Sequence, residues 1–350
     1  MTGYESAFDT VKLAANASDL WTASYVSPYG PASSQALVVD GDGNVCVAGE
    51  NTYFCYSERP AKGCYVDLLI VKYDPDGHQL WTAENLQWSE PSVQVVGLAI
   101  DTMSNLYVLA NRFVSPPWIV TCKYSAAGGE LWTGSAIFNI TPVTGLALDS
   151  AGRTFITGEA SPTAPSYPNM SYGTVAFNTN GTSQWTNYYP VIPTTLSEGT
   201  SIAVDITHSV YVTGYSPGTN DIVTIKYDPN GNQIWLQRYS SPGGGNASGN
   251  AIVVDNNGNV YVTGYDTTAA GGTEIVTIKY SPVSLQRRSD GTVILQAQGT
   301  PGETFDIEAS EDLLNWLDLG SALADTNGLI QFDDTNAPNY PARFYYTTPQ

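Results

Sequence analysis

Five glutamates, Glu50, Glu58, Glu90, Glu159 and Glu198, lie in or beside segments that read as loops. Two carboxyl groups flanking a glycosidic bond, one protonated and one ionised, form the machinery of most glycoside hydrolases. Spacing along the chain does not say which two would face each other. Histidine chemistry is poorly provided for. His78 and His208 are the only two histidines and fall in separate turns, so neither a Ser-His-Asp arrangement nor a His-rich metal site is expected. No Cys-x-x-Cys-His, Gly-rich phosphate loop beside a helix or His-Glu pair occurs, which removes haem, nucleotide and zinc readings. Asp40, Asp42 and Asn44 alternate like calcium-loop ligands, but the acid at the twelfth position is missing and the segment reads as a turn. The expectation is no metal and no cofactor, with Ca2+ left open.

Aromatic side chains are the second group able to do work. Tyr53, Phe54 and Tyr56 crowd one loop, and Trp88, Trp118 and Tyr167 edge others. Exposed rings of this kind stack on sugars or anchor protein partners, or they fill gaps beneath long loops. Cys55 and Cys64 flank the Tyr53 loop and can close it as a disulfide, which fits an oxidising compartment; two free loop thiols is the alternative. Cys46 and Cys122 sit inside strand patterns and read as buried, unpaired thiols.

These segments hang on one sentence written five times. Its clearest copy begins at Ile202: IAVD, ITHS, VYVTG, a loop, then DIVTIKYDPNGNQIW to Trp235. The next reads IVVD, NNGN, VYVTG, a loop and EIVTIKY to Tyr280. Earlier copies are LVVDGDGNVCVAG with DLLIVKYDPDGHQLW to Trp81, LAIDTMSNLYVLA with WIVTCKYSAAGGELW to Trp132, and LALDSAGRTFITG with YGTVAFNTNGTSQW to Trp185. Asp40, Asp101, Asp149, Asp205 and Asp255 stand 61, 48, 56 and 50 residues apart. A period near 50, made of four short strands and no helix, predicts an all-β fold, a β-propeller.

Before each aspartate, small residues alternate with large ones. Ala36 and Val38 alternate with Leu37 and Val39, Gly97 and Ala99 with Leu98 and Ile100, Gly145 and Ala147 with Leu146 and Leu148. A period of two puts the small side chains on one sheet face and the large on the other, which converging blades require. The tryptophans Trp21, Trp81, Trp132, Trp185 and Trp235 recur in register and are expected between blades. Two tight turns per repeat fall on one face of the disc, and their Asn and Gly supply the φ > 0 positions hairpins need. The other face receives the loops that vary, and a scaffold with one constant and one variable face binds through the variable one. Residues 10–21 align without a gap to residues 224–235, so the chain opens on the third and fourth strands of a repeat. Five four-stranded blades over residues 1–284 follow, the N-terminal tryptophan strand completing the last. One third strand, residues 10–13 or 274–280, is left over.

The phrase VYVTGYS followed by DIVTIKYDPNGNQIW resembles the bacterial β-propeller repeat family often called seven-bladed propeller repeats, over roughly residues 10–284. The resemblance implies a secreted or surface-attached bacterial protein and carries no catalytic residue over. From Leu285 the repeat stops. Residues 285–350 alternate strand-like runs with turns, the pattern of a small β-sandwich. The string FDIEASEDLLNWLDLG is similar to a C-terminal module of large secreted proteins of environmental bacteria, which implies a fibronectin-III-like sandwich. Trp316 and Phe344 are expected in its core.

The formal charge is −20, with 13 Lys and Arg against 33 Asp and Glu. Such a surface repels phosphate backbones, so no nucleic-acid partner is expected. No run of apolar residues is long enough for a membrane span, and the N-terminal residues lack a signal-peptide pattern. Only 13% of residues are charged, while Gly, Pro and Tyr are abundant, the profile of an extracellular or cell-surface β protein. The function expected from these features is non-catalytic recognition of a glycan or surface protein through Tyr53, Phe54, Tyr56, Trp88, Trp118 and Tyr167. The alternatives are a carbohydrate-active enzyme, hydrolase or lyase, using the loop carboxylates, and a structural or self-assembling surface subunit.

Overall fold

The computed structural model describes residues 7–28, 30–52, 66–90, 93–112, 118–136, 140–160, 171–189, 197–216, 220–256, 258–268, 271–280, 284–298, 302–312, 315–326 and 329–349. It divides into two compact units, Met1–Ile202 and Ala203–Gln350.

In the first unit, β1 (Phe8–Leu13) and β2 (Asp19–Tyr25) form a two-stranded hairpin. Strands β3 (Ala32–Val39), β4 (Val45–Thr52), β5 (Val66–Tyr73) and β6 (Gln79–Glu90) form a four-stranded antiparallel sheet in chain order. β7 (Val93–Ile100), β8 (Leu106–Arg112), β9 (Trp118–Tyr124) and β10 (Glu130–Ala136) form a second. In the third, β11 (Ile140–Leu148), β12 (Thr154–Ala160), β13 (Ser171–Phe177) and β14 (Ser183–Tyr188) pair in the same order, and β12 also meets the start of β15 (Glu198–Val204).

The alternation of small and large residues does what converging blades need. Ala36 and Val38 pack in one cluster with Leu98 and Ile100. A Cβ added to Gly97 would lie 3.5 Å from Leu146, and one added to Gly145 would lie 3.1 Å from Ile202. Each small face therefore seats the next repeat's large face. In the first repeat the large residues Leu37 and Val39 are 55% and 52% exposed. The hairpin β1–β2 supplies only the outer half of a blade there, and it covers Val47, Leu69 and Val71 instead.

Three of the tryptophans staple one strand pair to the next. The indole Nε1 of Trp21 donates to the carbonyl of Pro75 at 2.8 Å, that of Trp81 to Ala126 at 3.0 Å, and that of Trp132 to Thr179 at 2.9 Å. The rings lie on the turn glycines Gly77, Gly128 and Gly181, where an added Cβ would come within 2.8, 2.7 and 2.7 Å of them. At the first tight turn Asp40 Oδ1 accepts the amides of Asp42 and Asn44, and its Oδ2 takes buried Lys72 at 2.9 Å. Burial pushes this carboxyl up, but Lys72 and Asn44 outweigh it and hold it below its ordinary value. Both Asp40 oxygens are thus engaged in a lysine-clamped turn.

In the second unit, β16 (Val210–Ser216), β17 (Asp221–Tyr227) and β18 (Gln233–Tyr239) pair in order, as do β19 (Ala247–Val254), β20 (Val260–Thr267) and β21 (Thr273–Tyr280). β2 pairs with β1 alone, and β19–β21 remain three-stranded. Both contenders for the surplus third strand are in place, β1 on β2 and β21 on β20.

The C-terminal strands are β22 (Ser284–Arg287), β23 (Val293–Gln298), β24 (Thr304–Ser310), β25 (Leu317–Leu323), β26 (Leu329–Asp334) and β27 (Phe344–Pro349). They form two three-stranded sheets, β22–β23–β26 and β25–β24–β27, around Leu295, Phe305, Ile307 and Ile330. Trp316 and Phe344 are not in this core: they are 39% and 43% exposed. The two-residue period of β27 turns Tyr345 inward and sends Phe344 and Tyr346 out.

Candidate carboxylate site

In the first two repeats, the residue seven before the repeat aspartate pairs with a polar residue on the second strand. Ser33 meets Glu50, and Gln94 meets Asn111. In the third repeat that residue is Pro142, which has no N–H to donate. The register of β11 on β12 accordingly breaks between Ile140 and Val143 and gives Glu159 no partner from its own first strand. The place is taken by Glu198, itself seven residues before Asp205, which pairs directly with Glu159. On the other side Glu159 pairs with Tyr172 of β13, a fully buried residue whose ring stands 5.2 Å from that of Tyr189. The result is a cross-strand row, Tyr172–Glu159–Glu198.

Residues directly opposite on antiparallel strands share a face and hold their Cβ atoms ~4.5–5.5 Å apart. Glu159 and Glu198 are both half-buried. Burial pushes the Glu159 carboxyl above its ordinary value, and the charge of Glu198 pushes it further. Burial alone raises Glu198. Glu50, at the position of Glu159 two repeats earlier, is also raised by burial.

Side-chain laces brace this end of the sheets. Gln35 Oε1 accepts the Val95 amide at 2.6 Å, and Asn111 accepts the Val143 amide at 2.9 Å while donating to the Val143 carbonyl at 3.3 Å. Thr144 Oγ1 donates to the carbonyl of Gly199, next to Glu198. Glu159 occupies the place of the lacing Asn111, and an ionised carboxylate cannot donate to a carbonyl as an amide does.

The other expected site residues divide differently. Tyr53, Phe54, Tyr56, Tyr167, Glu58, Cys55 and Cys64 lie outside the described residues. Trp88 and Glu90 fall on β6 and Trp118 on β9, with their side chains outside the described residues. Cys46 and Cys122 are buried thiols outside any disulfide, and burial pushes Cys46 up to about 11. His78 sits exposed, 3.0 Å from Asp74 in a turn. Among the described residues no three His, Cys, Asp or Glu side chains gather as a metal site would need. The Glu159–Glu198 pairing was not read from the sequence, although its signal, Pro142 at a position where the other repeats have a residue with a backbone N–H (Ser33, Gln94, Glu198 and Ser248), was there to be seen.

The architecture is all-β and of the propeller class. Residues 234–265 match the beta-propeller repeat family. No curated protein is recognisably similar to the chain in sequence. Among solved structures the chain is similar to α-L-arabinanase of Penicillium chrysogenum complexed with arabinobiose, at 12% identity over 86% of this chain and 93% of that one, with a TM-score of 0.41. It is also similar to the β-propeller domain of the Trilobed protease from Pyrococcus furiosus, at 9% identity over 76% and 78%, TM-score 0.40. A gluconolactonase from Xanthomonas campestris matches at 13% identity over 77% and 95%, TM-score 0.35.

The likeness is one of fold, yet it corrects two expectations, that the chain is not an enzyme and that its work is non-catalytic recognition. Propellers similar to this one include an arabinanase and a gluconolactonase, both named as enzymes. The expectation leaned on the scarcity of histidine and of short motifs, and carboxylate chemistry needs neither.

Proposed function

We propose that the chain is a carbohydrate-active hydrolase whose acid pair is Glu159 and Glu198. The observation that supports this reading is their direct cross-strand pairing, with both carboxyls raised and Glu159 raised further by its neighbour. Retaining glycosidases hold their two carboxyls ~5–5.5 Å apart, a separation that directly opposed residues can reach. Glu159 keeps its proton and delivers it to the glycosidic oxygen as the bond from that oxygen to the anomeric carbon breaks. Glu198, ionised, attacks the anomeric carbon and forms a glycosyl ester. Water then gives a proton to Glu159 and attacks the same carbon, releasing Glu198. The substrate is a neutral glycan, since a chain of charge −20 repels polyanions. Composition supports work outside the cell or at its surface, and residues 285–350 are proposed as a separate fibronectin-III-like module.

The test is release of reducing ends from neutral polysaccharides such as arabinan, xylan, β-glucan and galactomannan. The anomeric configuration of the first product is read by proton NMR. Turnover with retention is expected. Inversion would contradict the adjacent pair, and silence on every substrate would sink the reading.

A further inference from the structure

The outward tryptophan of the C-terminal sandwich opens on a cavity of about 330 Å³, lined by Trp316, Tyr340, Asn315, Glu311, Ser310 and Arg343 among others. That volume is at the lower end of small-molecule sites, ~300–1,000 Å³. We propose that this cavity is a second glycan site, binding a neutral sugar independently of the Glu159–Glu198 pair.

Its walls are fixed by bonds of their own. Asn315 donates its amide and its Nδ2 to the two carboxylate oxygens of Asp312, each at 2.8 Å. Ser310 Oγ donates to Asp312 Oδ1 at 3.1 Å. Arg343, its side chain 5% exposed, lies 4.0 Å from the Tyr340 ring centroid and is paired to Asp334 at 2.5 Å. Tyr345 Oη donates to the same Asp334 oxygen at 2.9 Å. A lining held this way before any ligand arrives loses little side-chain freedom on binding.

The charges decide the ligand class. Among the described residues of the lining the one cation, Arg343, is neutralised by Asp334, and Glu311 adds a negative charge, so an anion finds no net attraction. An apolar ligand would cover the Glu311 carboxylate and the Asn315 side-chain oxygen without offering either a donor. What fits both halves of the lining is a molecule with a C–H face for the indole and hydroxyls for the polar side chains, which is a sugar ring. Trp316 also stands 5.8 Å from Tyr346, half-exposed on the outer face of β27 next to Phe344. This aromatic shelf continues from the cavity along the sheet and gives further rings of an oligosaccharide somewhere to lie.

The test uses the full chain carrying Glu159→Gln, so that the polysaccharide is not consumed, in native gels cast with arabinan, xylan, β-glucan or galactomannan. Retardation by at least one polymer is expected. Adding Trp316→Ala should weaken it about tenfold, the factor that ~1.4 kcal/mol of lost stacking represents. Tyr346→Ala, at an exposed position, should weaken it by a smaller factor, and melting curves confirm that both variants fold. On the wild-type background, Trp316→Ala should leave the release of reducing ends from a short soluble oligosaccharide unchanged, which separates this site from the hydrolytic one. Retardation by no polymer, or retardation that survives both substitutions, would overturn the proposal.

Discussion

Gly128→Ala tests the inter-repeat staple, because its effect can be worked out atom by atom. The residue sits at φ +88°, and an added Cβ would lie 2.7 Å from Trp81 Cδ2 and 2.9 Å from Cγ. The left-handed backbone alone costs an L-residue about 1–2 kcal/mol. The contact is too short to absorb, so the indole must swing away and give up its 3.0 Å bond to the Ala126 carbonyl, worth ~1 kcal/mol net. Lost ring packing brings the total to roughly 3–4 kcal/mol. Gly43→Ala is the control: φ is +83°, but the nearest atom is Pro75 Cγ at 3.5 Å, an ordinary contact. It should show the backbone cost alone. At ~2–4 °C per kcal/mol for a unit of 150–250 residues, calorimetry should find Gly128→Ala melting several degrees below Gly43→Ala. In a Trp81→Ala background the difference between the two should vanish. Equal shifts in the wild-type background would refute the staple.

Three further outcomes follow from particular residues. Ser104 stands at φ +60° in the turn where the first, third and fifth repeats place glycine and the fourth places His208, so Ser104→Gly should raise unfolding stability by about 1 kcal/mol in urea titrations. Both paired glutamates have folded carboxyls raised above the ordinary 4.5. The native state therefore binds their protons more tightly than the unfolded chain, and their contribution is lost as pH rises from 4.5 through the raised value. Glu159→Gln should accordingly melt above wild type at pH 8 and no higher at pH 4, and the same melting point difference at both would contradict the shift. Pro142→Ser restores the N–H that Ser33 has in the first repeat. It should let β11 pair with Glu159, displace Glu198 and cut turnover by about 10², with little change in melting temperature.

Much of the frame was legible because it repeats. The small-large alternation of Ala36–Val39 and Gly97–Ile100 and the register of the tryptophans are packing requirements, met at each repeat by the same residue types. What did not repeat was harder to read. A repeat pattern says which strands are equivalent but not which edge each will choose, so it left residues 10–13 and 274–280 as rival third strands, and both are formed, β1 on β2 and β21 on β20. Trp316 and Phe344 were expected in the core, whereas both are half-exposed, Phe344 because the phase of β27 set by Tyr345 places it outside. Glu159 and Glu198 were among the five acids singled out, 39 residues apart in the chain. Their meeting depends on one proline breaking one register, a local event that no period announces.

The most direct measurement compares reducing-end release from a neutral polysaccharide by wild type, Glu159→Gln, Glu198→Gln and Glu50→Gln at one pH. Turnover should fall by about 10²–10⁴ in each of the first two variants and stay near the wild-type rate in Glu50→Gln. Activity that survives both Glu159→Gln and Glu198→Gln, or that depends on Glu50 instead, would contradict the assignment of the chemistry to the paired carboxylates.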